Sequence, residues 1–431
     1  MKDLTLSRLR EFRQHKKEIR GSDRHLIVGI DVAKEKHHAF FGTATGRSLL
    51  RRLIFENNRE GFETLLQRTR AIMTQEGLDK VVFGVEPTAD YHKPLGEFLI
   101  NNDLAVVLVS NVAAKENRKT LDGRWDKNDT KDSANVADLI SQGKFLFYDL
   151  PAPQIQDLRN LLSLKAKLKK QEHSTRVRIR NHLVSQFFPE LDKYYGRREQ
   201  ENLAIVKWCL NPRQIATLDF RKFFMMVTRR DRGRAQRQRL QAIQEVARKS
   251  IGCEVSESVA FEARMMVANL ERIRDSIAEV DSKIKEISRQ IRGYENILSI
   301  PGIGPAVAAT ILAALGDPHR FTNARQVLKL AGLDLSASRS GKNAAHITPK
   351  LSKKGKAPLR YMLYQAAAIA TSRNRSFVEY FTELIRGREK EQGIKTKMRV
   401  KVAAKILVIA WTLLKKGEMF QDEYLLNKPS L

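Results

Sequence analysis

The sequence predicts an α/β domain followed by an all-α remainder, and three observations carry that prediction. Short β-branched apolar runs bounded by turn residues fill the first 150 positions and then begin to alternate with helical spacing. From about residue 153 onward the strand pattern stops and long stretches of helical periodicity take over. Net charge follows the same division: residues 1–150 carry about +3, residues 151–290 about +12 and residues 291–431 about +14.

The elements follow in chain order. Residues 1–24 read as a basic helical arm, MKDLTLSRLREFRQHKKEIR being charged throughout. Leu26 to Ile30 is a compact apolar run, expected as a buried strand. His38 to Thr43 and Ser48 to Phe55 are two further strands, with Gly42 and Gly46 at the turns. Gly61 to Met73 has helical spacing, Lys80 to Val85 reads as a strand, His92 to Ile100 as a helix and Ala105 to Ser110 as a strand. A helix is expected from Asp129 to Ser141. Three strands followed by alternating helix and strand over 25–150 is the order of an RNase H-like fold.

Pro151-Ala152-Pro153 marks a boundary. A basic helix is expected over 155–188, broken by Pro189 and Gly196, and residues 200–260 read as helical with an Arg-rich run from Arg229 to Arg239. Met266, Leu270, Ile273, Ile277, Val280, Ile284, Ile287 and Ile291 step by four and three, which is the seam of a coiled coil. Its partner is either the 155–188 helix or a second protomer. The region 151–292 is therefore a helical and coiled-coil segment with a basic insertion, and 293–431 a helical C-terminal domain. Within the latter, an apolar lead and the turn Pro301-Gly302-Ile303-Gly304 run into a small-residue helix. Gly302 and Gly304 would let backbone N–H groups approach a phosphate, as in a helix-hairpin-helix motif. Lys397 to Leu414 is a basic amphipathic helix.

The net charge of +29 and sequence pI of about 10.1, with 42% hydrophobic residues, exclude a disordered chain and set the protein apart from an ordinary metabolic enzyme. A surplus of this size points to a polyanion, above all nucleic acid. Cys209 and Cys253 cannot build a disulfide framework or a zinc site by themselves. No signal peptide and no run of about 18 apolar residues is visible, so the chain is expected in the cytoplasm with no membrane partner.

Two constellations carry chemistry. Asp31 ends the apolar run IVGID and Glu86 ends VVFGVE, both at strand ends, where α/β sheets place their chemistry. Asp129 and Asp132 stand three apart in KNDTKDSANVADL, on one face of a helix start. Four carboxylates from three elements call for a cation, and hard oxygen ligands suit Mg2+ or Mn2+. Asp90, Asp122, Asp126 and Asp138 are further acidic candidates that spacing does not exclude. The second constellation runs from Ala331 to Arg360. A serine in a Gly-flanked basic loop could attack phosphorus, or the loop could simply contact phosphates.

Together these stretches resemble the bacterial insertion-sequence transposases with a DEDD motif, the bridge-RNA-guided serine recombinases. The resemblance rests on GIDVAKEKH, VEPTADY and DKNDTKDSANVADL in the first part. In the second part it rests on LSIPGIGPAVAATILAALGD, RFTNARQVLKLAGL, SRSGKN and SKKGKAPLRYMLYQAA. The family order is kept over most of the chain. The resemblance implies a RuvC-like catalytic domain over 25–150, a coiled coil and a helical transposase domain. It assigns the metal-binding carboxylates to Asp31, Glu86, Asp129 and Asp132, and the nucleophile to Ser340 before Gly341. It also implies donor and target DNA as substrates, a structured guide RNA as partner, and a homo-oligomer from dimer to tetramer. Arg339, Lys342, Lys353, Lys354, Lys356 and Arg360 are candidate nucleic-acid contacts by proximity. Where the family often has Gly after Glu-x-Thr, this chain has Ala89. The competing expectations are a resolvase or nuclease that uses the carboxylates alone, and a basic scaffold without chemistry.

Overall fold

The computed structural model describes residues 12–87, 89–121, 129–148, 151–195, 199–336 and 350–426. The chain divides into two compact units. One comprises residues 1–152 with 317–326, the other residues 153–316 with 327–431.

The first unit is built on a six-stranded mixed sheet. Its strands are β1 (His25–Asp31), β2 (Lys36–Thr43), β3 (Ser48–Glu56), β4 (Lys80–Val85), β5 (Ala105–Leu108) and β6 (Leu146–Phe147). Their order across the sheet is β3-β2-β1-β4-β5-β6. β1, β4 and β5 run parallel, whereas β2, β3 and β6 pair antiparallel. This order is compatible with the expected RNase H-like fold. The three parallel strands are nearly continuous apolar runs because both of their faces are covered.

The helices are α1 over 12–19, α2 (Arg59–Glu76), α3 (His92–Asn101), α4 (Asn111–Leu121) and α5 (Asp129–Ser141). One core joins Leu26, Val28 and Ile30 of β1 and Phe83 and Val85 of β4 to Leu65 of α2 and Leu95 and Leu99 of α3. The opposite core joins Ile27, Val82 and Val107 to Val136, Ala137 and Ile140 of α5. The alternation of inward faces follows from the two-residue period of a strand. α4 and β6 carry no pattern strong enough to be read from the sequence. α1 is less of an arm than its charge suggests. Ile19 is fully buried in the second core, and Phe12 packs on Phe145 and Phe147.

The second unit is helical. α6 (Pro153–Arg178) passes through a π-helical turn over Ile179–Val184 and pairs antiparallel with the helix Glu257–Gln290. The direction is set by ion pairs that descend on one helix as they climb on the other. Lys165 meets Asp281, Glu172 meets Arg274 and Arg178 meets Glu262. So the intrachain helix fills the role left open between it and a second protomer. Leu270, Ile273, Ile277, Val280 and Ile284 are buried as the seam requires. At the two ends the buried stripe moves off the strict heptad, to Ala263 and Val267 at the start and Ser288 at the finish. A 3.6-residue helix drifts in that way against a 3.5-residue repeat.

Between the paired helices, residues 179–256 form a subdomain of short helices around their own core. It is built from Leu183, Phe188, Leu203, Ile215, Phe223, Leu240 and Ile243. Both cysteines are free; Cys209 is buried, which pushes its thiol up to about 11, and Cys253 is exposed. Among the described residues no helix is long and apolar enough to cross a membrane.

Candidate catalytic face and serine-bearing loop

In the parallel register of β1 and β4, Gly29 faces Gly84 and Ile30 faces Val85. The next positions are Asp31 and Glu86, so the two carboxylates leave neighbouring strand ends together. Both are two residues beyond a glycine, which puts them on the same face of the sheet as Gly29 and Gly84. That face is covered by α5. A Cβ on Gly29 would sit 2.2 Å from the Ser133 carbonyl oxygen and 2.5 Å from the Ala137 nitrogen. A Cβ on Gly84 would sit 2.0 Å from Ile140 Cδ1. The two glycines thus let α5 lie against the sheet backbone, and α5 brings Asp132 to the face that carries Asp31 and Glu86. Asp129 is the first residue of α5; its side chain lies outside the described residues.

α4 fixes α5 in turn. Asn117 donates to Asn135 Oδ1 at 2.9 Å and to Asp138 Oδ2 at 2.7 Å, and Asn135 donates to the Ala114 carbonyl at 2.8 Å. Gln142 donates to the same Asp138 oxygen. Asp138 is therefore engaged in holding two helices together. Asp90 forms an exposed ion pair with Lys93, and Asp122 and Asp126 lie outside the described residues.

Asp132 is 3% exposed, and its counter-ion is Arg118 of α4, Nε to Oδ1 at 2.7 Å. The contact is an ion pair without an aligned hydrogen bond, so Asp132 Oδ1 is a buried oxygen with no hydrogen-bond donor. A buried carboxylate needs a cation nearby. Carboxylate oxygens are donors of the chemistry that Mg2+ or Mn2+ takes. Among the described residues, however, no three acidic, His or Cys side chains are gathered around a single point.

His37 of β2 shapes the turn after Asp31. Its Nδ1 accepts from the Ala33 N–H at 3.1 Å, its ring stacks on Phe62, and burial lowers its pKa below the ordinary value. Ala89, three residues past Glu86, has φ +46°. A left-handed backbone at this point explains why a glycine suits it and why alanine is strained there. Arg118, Asn117, His37 and the two glycines were missed by sequence reasoning. Arg118 sits in KENRK, which reads as a solvated charge run. The glycines did leave a signal, since Gly29-Ile30-Asp31 and Gly84-Val85-Glu86 repeat one pattern on two strands.

In the second unit, Leu335–Ser336 pairs antiparallel with Lys350–Leu351. The segment that joins them contains Arg339, Ser340 and Lys342, all outside the described residues. Lys353, Lys354 and Lys356 are exposed just ahead of the helix Ala357–Arg373. Arg360 is turned inward and donates to the Ala331 carbonyl at 2.9 Å, which ties the chain on both sides of the hairpin. Gly302 and Gly304 flank the turn before the helix Pro305–Leu315. Gly302 has φ +87°, and a Cβ there would meet the Ala366 carbonyl at 2.5 Å, so helix packing accounts for this glycine. Gly304 is open, with nothing within 4 Å of its Cβ position.

Comparison with known proteins places this arrangement. Residues 28–189 match a transposase family pattern defined by the DEDD motif, and residues 294–382 match the pattern of the transposase IS116/IS110/IS902 family. An uncharacterized 44.8 kDa protein of insertion element IS116 from Streptomyces clavuligerus is 23% identical, over 93% of this chain and 97% of its own length. The transposase for insertion sequence element IS1111A from Coxiella burnetii is 24% identical over 38% of this chain and 46% of its own. A pilin gene-inverting protein from Moraxella bovis is 25% identical over 35% of this chain and 47% of its own. The class is that of a DNA transposase or recombinase. The chain belongs to the IS110 family of insertion-sequence transposases.

Proposed function

We propose that the protein is an RNA-guided recombinase of its insertion sequence that cuts and rejoins DNA through Ser340. The observation that carries the catalytic part is the placement of Asp31 and Glu86 side by side on the face covered by α5, with Asp132 buried on that helix. Asp31, Glu86, Asp129 and Asp132 would hold Mg2+ or Mn2+. The ion supplies charge compensation for a DNA phosphate at this face. α4 and α5 hold Asp132 in place, and β1 and β4 present Asp31 and Glu86 from a rigid sheet edge.

Ser340 Oγ attacks a DNA phosphorus, forming an O–P bond and displacing a DNA hydroxyl. The cations Arg339 and Lys342 beside it, with Lys353, Lys354 and Lys356 at the next helix start, bind the phosphate and its neighbours. The covalent link stores the energy of the broken phosphodiester, and rejoining reverses the step on a second DNA end. Donor and target DNA are the substrates. A structured guide RNA selects them by base pairing, and two to four protomers assemble around it, acting on the nucleoid in the cytoplasm. The pilin gene-inverting relatives support recombination of DNA ends as the class of reaction.

Ser340→Ala is the test, assayed for recombination and for covalent protein–DNA adducts with Mg2+ present. Loss of both supports the serine reading. Strand cleavage that survives unchanged would leave the carboxylates acting with water, as in a nuclease. Bound RNA recovered from the purified protein, and its loss on nuclease treatment with loss of recombination, tests the guide.

A further inference from the structure

We infer that the 179–256 subdomain carries a nucleic-acid backbone site of its own, formed by Arg221, Lys222, Arg229, Arg230, Arg232 and Arg234. All six are exposed, and none makes an ion pair among the described residues. Elsewhere in the middle third, Lys165, Lys169, Arg178 and Arg274 of the paired helices and Lys207 of the helix Glu199–Trp208 are each matched to an acidic partner. Residues 221–239 carry eight Lys or Arg against one acid, +7 of the +12 of residues 151–290.

The helix Phe220–Val227 buries Phe223 and Val227 and turns Arg221, Lys222, Met225 and Met226 to solvent. Met225 and Met226 are 61% and 44% exposed. The helix Arg234–Ala247, after the intervening loop, returns to this helix. Arg237 pairs with Asp231 and lies over the Phe224 ring, 5.9 Å from its centroid.

The loop is pinned from below. Gln236 is 1% exposed; it donates to Glu201 Oε1 at 2.7 Å and to the Arg230 carbonyl at 3.3 Å, and accepts from the Arg232 N–H at 2.6 Å. Glu201 is in turn paired with Arg239 at 2.8 Å. Asp231, the sole acid between Lys222 and Arg239, is taken up by Arg237 and the Gly233 N–H. A rigid loop that spreads uncompensated guanidinium groups over one surface repels itself in the absence of a polyanion. Guanidinium groups pair well with phosphates, and the exposed Met225 and Met226 on the neighbouring helix offer apolar surface to sugar or base.

The inference rests on the reading that the protein acts on nucleic acid. The experiment compares full-length wild type with R229Q/R230Q/R232Q/R234Q, and with R51Q/R52Q/R68Q/R70Q as a control of equal charge on the other unit. Binding to a labelled DNA duplex and to a labelled RNA hairpin is measured by anisotropy over a salt series. The patch variant should bind at least one of the two about tenfold or more weakly at ~0.1 M salt. Its slope of log K against log salt should fall by about 3, since each lost phosphate contact removes about 0.7–0.9. Loss in the DNA arm or in the RNA arm identifies the source of the phosphate.

Equal loss in the control, or affinity within about twofold of wild type in both arms, overturns the proposal. Photocrosslinking of the unaltered protein gives a reading independent of folding. Nucleotide adducts should map to the peptide that carries Met225 and Met226, and adducts confined to other peptides overturn it. A wild-type chain that binds neither probe would defeat the functional reading itself, whereas intact binding by the patch variant defeats only this site.

Discussion

Gly29 of β1 and Gly84 of β4 are direct partners in the parallel register, and α5 lies on both. Two missing side chains therefore set the distance between a helix that carries Asp132 and the strand ends that carry Asp31 and Glu86.

The two glycines should not be equally sensitive. A methyl group at position 29 would run into the backbone of α5, which can move only as a whole. At position 84 it would meet the tip of Ile140, which can change rotamer. Gly29→Ala should cost about 3 kcal/mol and Gly84→Ala about 1 kcal/mol in denaturant unfolding. Recombination should fall further for Gly29→Ala than stability alone explains, because shifting α5 displaces a carboxylate. Equal costs at the two positions would refute the close approach of α5.

Arg118 is the cation that Asp132 has in this structure. Arg118→Ala should destabilise the protein by roughly 1–3 kcal/mol by leaving a buried carboxylate without a counter-ion. Mg2+ should then raise the melting temperature of this variant more than that of the wild type, and Asp31→Ala should abolish the gain. No Mg2+-dependent shift in any of the three proteins would count against metal binding by these carboxylates.

Ala89 pays for a left-handed backbone. Ala89→Gly should stabilise the first unit by about 0.5–1 kcal/mol, measured by chemical unfolding. A loss of stability would mean that the turn after Glu86 is not left-handed in solution.

Acid should weaken the first unit before its carboxylates are protonated. Burial lowers the pKa of His15, His25, His37 and His92. A depressed histidine binds its proton more readily in the unfolded chain, so the stability held by the neutral form is complete above about pH 6.5. It is lost as pH falls below that value toward the folded pKa of each group. His37→Phe should flatten this part of the profile, since the ring is packed on Phe55 and Phe62. An unchanged slope between pH 7 and 5 would exclude His37 from it.

Strands β1 to β5, α2, α3 and α5, and the helix of the heptad seam were legible in the sequence. Each carries a hydrophobic period that local geometry alone turns into a strand or a helix. VGID and FGVE place an acid at the end of an apolar run, and the structure puts Asp31 at the end of β1 and Glu86 directly after β4. α4 was not legible, since Asn111 to Leu121 is polar and charged and is held mainly by Asn117 and Arg118 reaching partners on α5. Gly302 looked like a phosphate-binding position because its sequence context is the same whether its free side faces a ligand or another helix.

By itself, then, the sequence determined the periodicities, the acids at the strand ends and the excess of positive charge. Only the tertiary structure decided which of those charges are compensated. It assigned Arg118 to Asp132 and Asn117 to Asp138, matched Lys165, Arg178 and Arg274 to acids across the paired helices, and left Arg229, Arg230, Arg232 and Arg234 without an ion pair among the described residues. Pairing depends on distances between residues remote in the chain, and no local pattern encodes those distances.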